Sequence, residues 1–191
     1  MVWIVYYAIH SILASTSVKK MAVKSLGKLN RYYRLFYSAF ATITLAVVLY
    51  FQYSLESPRF AIPLLFKYTS LILLILPGIA IMFIAIKKYF MLLSGIRSIF
   101  VPVPPSGLKL GGIHRFVRHP LYSGTILFVW GLFFVFPFLN NLIAVVLLTA
   151  YVLIGIGFEE KKLIKEFGTI YQKYMLEVPM LIPDIKKEKK A

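Results

Sequence analysis

Apolar residues run through this chain in long stretches with few polar interruptions. Four of these, Leu35–Tyr53, Leu64–Ile86, Leu121–Phe138 and Leu142–Phe158, reach or approach the roughly 20 helical residues that cross a bilayer. A shorter stretch, Val2–Ala14, opens the chain and is expected to span with help from its flanks. None shows the period-2 alternation of a strand, so the pattern predicts five membrane helices and an all-α polytopic protein. Leu139-Asn140-Asn141 is expected to be the tight turn between the last two helices. Pro77-Gly78 lies inside the third run. Proline removes a backbone donor and clashes with the preceding turn, which predicts a kink there. Three prolines in four residues, at 102–105, keep Val101–Leu110 out of a helix.

Composition strengthens this reading. Some 60% of the 191 residues are hydrophobic and 15% are charged, too apolar for a soluble core of this size. The net charge of +15 would by itself suggest nucleic acid, but the positions of the charges give it another meaning. Lys19, Lys20, Lys24, Lys28, Arg31 and Arg34 follow the first run. Lys87, Lys88, Arg97, Lys109, Arg115 and Arg118 follow the third, and eight lysines follow the fifth. Only Arg59 and Lys67 fall on the other side. By the positive-inside rule this predicts an N-terminus outside, a C-terminus in the cytoplasm, and no nucleic-acid partner. The expected location is a prokaryotic inner membrane, where basic residues facing anionic lipid gain about 1 kcal/mol each. The first residues lack a basic stretch ahead of their apolar run, so no cleavable leader is expected.

Candidate chemistry sits at two places on the cytoplasmic side. One is Gly111-Gly112-Ile113-His114-Arg115-Phe116-Val117-Arg118-His119-Pro120-Leu121-Tyr122-Ser123-Gly124. Proline favours the first turn of a helix, so a helix is expected to start near Pro120 with its N-terminus facing an anion. Arg118 offers a planar fork of donors to the same anion, and His119 or His114 is a candidate general base. The other is Glu159-Glu160 at the end of the fifth run. Carboxylates there are costly unless paired or solvated, and can accept from ribose hydroxyls or an ammonium. The plain alternatives are a helix end anchored in headgroups by Arg115 and Arg118, and a solvated face pairing the glutamates with Lys162 and Lys165. Gly155-x-Gly157 reads as close helix packing. Phe167, Tyr171 and Tyr174 read as an amphipathic helix on the bilayer surface. His114 and His119 are five apart, His10 is the only other histidine and cysteine is absent, so no metal site is expected.

Taken together and in order, GGIHRFVRHPLYSG and YVLIGIGFEEKKLIKEFGTIYQKYMLEVPMLIP resemble the isoprenylcysteine carboxyl methyltransferase superfamily over about residues 106–183. HPLYSG and YVLIGIGFEE look closer to its bacterial methanethiol S-methyltransferase-like branch. The resemblance implies a membrane enzyme using S-adenosylmethionine in a cytoplasmic pocket. The cofactor would be lined by Leu108, Lys109, His114, His119, Pro120, Leu121, Tyr122, Glu159 and Glu160. Arg118 and His119 are the catalytic candidates. Gly155 stands where prenylcysteine enzymes carry an arginine, so the expected acceptor is a small or lipophilic neutral nucleophile, a thiol first, drawn from water or bilayer. Alternative readings are an isoprenylcysteine-type carboxyl O-methyltransferase, with Arg115 or Lys162 replacing the missing cation, an NADPH-dependent membrane reductase of related fold, and a non-catalytic membrane subunit. Residues 1–100 are expected to hold three membrane helices with basic loops. Residues 101–191 are expected to hold the catalytic region: cofactor motif, hairpin and amphipathic helix. Oligomeric state is not legible.

Overall fold

The computed structural model describes residues 1–27, 30–87, 107–108 and 110–184. Lys109, the prolines at 102–105 and the lysines at 186–190 lie outside the described residues. Among the described residues the architecture is helical, in two compact units: residues 1–58, and residues 59–87 with 107–184. Tyr32–Ser54, Leu64–Lys87 and Leu139–Phe167 are long and apolar enough to cross a membrane, and the protein is an integral membrane protein. Val2–Ala14 and Pro120–Val135 are shorter apolar helices.

The first unit contains α1 (Val2–Ala14), α2 (Thr16–Leu26) and α3 (Asn30–Ser54). Ser15 separates the first two. Its backbone is extended and its Oγ accepts the Val18 N–H at 3.3 Å, capping the start of α2. α1 and α3 run antiparallel, tied by Trp3 Nε1 donating to Gln52 Oε1 (2.6 Å), His10 sharing a hydrogen bond with Tyr37 OH (2.8 Å) and Tyr33 OH donating to Leu13 O (2.7 Å). In hydrocarbon such side-chain bonds specify a pairing that apolar contact alone leaves undirected.

The second unit contains α4 (Leu64–Ser70), a π-helical segment (Leu71–Ile75), α5 (Leu76–Lys87), α6 (Pro120–Val135), α7 (Leu139–Phe167) and α8 (Thr169–Glu177). The π turn ends just before Pro77, so a widened turn stands where proline disrupts the regular ladder. α5 and α6 form the most extensive helix pairing, and glycine permits it. A Cβ at Gly78 would lie 2.8 Å from Phe128 N, one at Gly124 2.8 Å from Gly78 O, and one at Gly131 2.6 Å from Ile75 Cγ1. The third apolar helix therefore packs with the site-bearing helices.

The turn between α6 and α7 is Phe136-Pro137-Phe138, not Leu139–Asn141 as expected. Proline disfavours helical backbone in the residue before it, which ends α6. Asn141 is buried in the first turn of α7, and its Nδ2 donates to Phe136 O at 2.8 Å, so the asparagines belong to the helix start. Phe60 N donates to Pro137 O (2.8 Å) and the Arg59 guanidinium lies over the Phe138 ring, closing the unit at the α6–α7 turn. α7 continues nine residues past Phe158, through good helix formers, to Gly168 at φ 57°. Its 29 residues span about 44 Å, against about 30 Å of hydrocarbon, so its charged last turns reach beyond the apolar layer.

Candidate functional site

A short 3₁₀ turn, Gly112–Arg115, leads to Val117, Arg118 and His119, and α6 starts with Pro120 in its first turn as expected. From the other direction α7 delivers Glu159 and Glu160, and the turn at Gly168 folds α8 back against α7. Residues 178–181 then pass beside the start of α6. Arg118 N donates to Pro179 O (2.9 Å), His119 N to Met180 O (3.1 Å) and Ser123 Oγ to Leu181 O (2.7 Å). These two N–H groups precede the helix and have no intrahelical acceptor, so the strap supplies one for each.

Arg118 is the hub. Its Nε donates to Glu160 Oε1 at 2.8 Å, and its Nη1 donates to Met175 O (3.0 Å) and Val178 O (2.5 Å). The planar fork thus holds a carboxylate on α7 with one nitrogen and caps the last carbonyls of α8 with another. The side chains are 10% and 12% exposed, so this is a buried ion pair. His119 Nε2 adds a second contact to Glu160 Oε1 at 3.1 Å, and Tyr171 OH a longer one at 3.5 Å. Tyr174 OH donates to His114 O at 2.6 Å. Burial, then the Glu160 charge, pushes the Tyr171 phenol above its ordinary value. Burial also raises Tyr174, against the opposing pull of Arg118. Both therefore stay protonated donors. Tyr171 and Tyr174 are buried against the protein, 2% and 6% exposed, which corrects the expectation that they rest on the bilayer. Their i, i+3 spacing and the following Val-Pro were the available signal.

The two glutamates have different environments. Glu160 is enclosed by Arg118, His119 and Tyr171. Glu159 is 45% exposed in its side chain and accepts from Tyr122 OH at 3.1 Å. His119 lies between them, buried, with Nδ1 4.0 Å from Glu159 Oε2 and its ring stacked on Tyr122 at 5.7 Å. Neither glutamate uses Lys162 or Lys165 in these contacts. His114 Nδ1 lies 3.2 Å from Arg118 O. A carbonyl can only accept, so Nδ1 donates in this contact, and Nε2 is the ring nitrogen that it leaves uninvolved. Pro120 is buried at the helix start, while Leu121 and Leu108 are half-buried. Along α7, Gly155 and Gly157 do not pack closely as expected. A Cβ at either would meet nothing within 4 Å. Among the described residues no group of three or more His, Asp or Glu is placed to hold a metal.

The structure thus brings His114, Arg118, His119, Tyr122, Glu159 and Glu160 into one cluster and adds Tyr171, Tyr174 and Ser123. An adenosyl sulfonium compound is compatible with what is left open. Glu159 offers a solvent-reachable carboxylate for hydroxyl or ammonium donors, Tyr122 a ring face for a cation, and Gly155 unfilled space one turn before Glu159.

Comparison with known proteins accords with this arrangement. Methanethiol S-methyltransferase 2 of Bradyrhizobium diazoefficiens is 37% identical over 100 residues, 48% of this chain and 36% of that protein. Methanethiol S-methyltransferase of a Pseudomonas species is 38% identical over 85 residues, 44% of this chain and 31% of that protein. Methanethiol S-methyltransferase of Mycobacterium tuberculosis is 30% identical over 98 residues, 48% of this chain and 38% of that protein. The chain spans about a third of the length of these relatives. They bear out the resemblance read from the two motifs. No solved structure matches. The family model for phospholipid methyltransferases matches residues 66–172, from α4 into α8 and across the Arg118–Glu160 pair, and the chain belongs to that family.

Proposed function

We propose that this protein is a membrane methyltransferase that uses S-adenosylmethionine and acts on a small or lipophilic neutral nucleophile, a thiol first. The observation that carries the reading is the unequal use of the paired glutamates. Glu160 is committed to Arg118 and His119, whereas Glu159 keeps a reachable carboxylate beside the Tyr122 ring, with open space at Gly155 one turn earlier on α7. When bound, the cofactor supplies an activated methyl carbon. Glu159 holds donor groups of the cofactor, and Tyr122 offers its ring to positive charge, worth about 0.5–2 kcal/mol. Pro120, Leu121 and Leu108 contribute apolar wall, with Lys109 beside them in sequence. His119 orients both glutamates and the Tyr122 ring. His114 Nε2 is the candidate acceptor for a thiol proton, and a thiolate then needs alignment more than activation. Arg118, placed among the catalytic candidates by its charge, serves in this reading as the residue that positions Glu160 and the strap.

The acceptor follows from Gly155. Gly155 has no side chain where prenylcysteine enzymes carry an arginine, and a Cβ built there would meet open space. The relatives' names support a thiol. In the bilayer, the reading places α1, α3, α4–α5, α6 and α7 as five crossings. The N-terminus is then outside, and the cofactor pocket and C-terminus are cytoplasmic, in the inner membrane of a prokaryote. The test is methyl transfer from labelled S-adenosylmethionine by the full chain in nanodiscs, against a thiol panel and a farnesylcysteine analogue. Turnover of thiols is expected. Turnover of the farnesylcysteine analogue alone overturns the acceptor assignment. Absence of cofactor binding by calorimetry, with the fold intact, overturns the enzyme reading.

A further inference from the structure

The first 55 residues contain no aspartate or glutamate, yet carry Lys19, Lys20, Lys24, Lys28, Arg31 and Arg34. Three of these lysines belong to α2, an 11-residue helix set off from α1 by the Ser15 cap. Along α2, Val18 and Ala22 are one turn apart; Ala22 is buried and Val18 half-buried, giving the helix an inner edge. Lys19, Lys20 and Val23 share another face by their three- and four-residue spacing, and Lys24 lies next to it. Apolar groups are exposed beside these lysines: Val23 on the same face, and Met21 and Leu26 at its flanks. Lysines mixed with exposed apolar residues are the composition of a helix lying in a membrane interface, its stems in the apolar boundary and its ammonium groups at headgroup level. The neighbouring helices α1 and α3 are apolar, and α3 is long enough to cross the bilayer, which brings α2 to its surface.

We propose that α2 is an interfacial helix that docks on anionic phospholipid headgroups through Lys19, Lys20 and Lys24. Charge complementarity argues for this occupant. The stretch holds six basic residues and no acidic one, and the surface of an anionic leaflet carries the complementary charge at the right depth. This inference is independent of the methyl-transfer reading, because it uses residues outside those the family model matches.

The chain has no cysteine, so a single nitroxide label at Val23→Cys reports on α2 alone. The full chain is reconstituted in nanodiscs of phosphatidylcholine with and without phosphatidylglycerol. Label mobility and collision with a neutral water-soluble relaxation agent are then measured. Anionic lipid is expected to reduce both. Each lysine should change the docked-to-undocked ratio about fivefold, so Lys19→Gln, Lys20→Gln and Lys24→Gln together should change it roughly a hundredfold. Arginine at the three positions should preserve docking. Raising salt from about 0.1 M to 1 M should release the unsubstituted helix, because the screening length shortens from about 10 Å to about 3 Å. This arm needs no lysine variant and cannot be confused with misfolding. Equal signals in the two lipid compositions overturn the proposal, as does docking that survives loss of the lysines. Docking that rises with protein density at fixed lipid composition also overturns it, because the occupant is then a second copy.

Discussion

Replacing Arg118 by alanine tests whether one guanidinium holds α6, α7, α8 and the 178–181 strap together. The change removes the 2.8 Å contact to Glu160 and both contacts to Met175 O and Val178 O. Glu160 is then left 12% exposed with its charge facing only His119 and Tyr171. Breaking a buried pair from one side costs about 3–5 kcal/mol. Arg118→Lys keeps the charge, but one ammonium cannot span the carboxylate and the carbonyls as two guanidinium nitrogens do, so a loss of about 1–3 kcal/mol is expected. The readout is hydrogen exchange at the backbone amides of positions 118 and 119, which donate to Pro179 O and Met180 O. Where exchange follows local opening, 3 kcal/mol corresponds to roughly two orders of magnitude in rate. Glu160→Gln is measured alone and with Arg118→Ala. The double variant should lose less than the sum of the singles, because the second change removes the charge that the first strands. Additivity within about 0.5 kcal/mol, or unchanged protection in Arg118→Ala, refutes the hub.

Other expectations follow from the same geometry. Gly124→Ala should destabilise by about 1–3 kcal/mol, because its Cβ meets Gly78 O at 2.8 Å, whereas Gly157→Ala, facing open space in a helix, should be neutral or stabilising; thermal unfolding in micelles compares them. Glu159→Gln should weaken S-adenosylmethionine binding by about 1.5–3 kcal/mol in calorimetry while leaving amide protection at Arg118 intact, the reverse of Glu160→Gln. Tyr171 holds its proton in the folded state where an unfolded tyrosine loses it, near pH 10. Above that pH the unfolded chain binds fewer protons, so this contribution is fully present below about pH 10 and is lost as pH rises toward the raised folded value; Tyr171→Phe should flatten that alkaline decline in a denaturation series.

The membrane class, the apolar helices and the two motif blocks were legible in the sequence because each depends on local features: run length, charge sides, a proline at a helix start and a pair of glutamates. α1 starts and ends where its apolar run does, and α6 starts at Pro120. The sequence could not assign faces. In a bilayer helix both the packed side and the lipid side are apolar, so the period that marks a soluble core is missing. That is why Gly155 and Gly157 read as a packing pair while Gly78, Gly124 and Gly131 carry the close approach. It also explains why Tyr171 and Tyr174 looked like surface anchors before their hydroxyls were found at Glu160 and the His114 carbonyl. Glu159 and Glu160 are adjacent residues of one type. Only the return of α8, and the strap whose carbonyls accept from Arg118 N and His119 N some 60 residues earlier, decides which glutamate is sealed into an ion pair and which keeps an open carboxylate. Adjacent helical residues point about 100° apart, and the tertiary contacts determine what each of those directions meets.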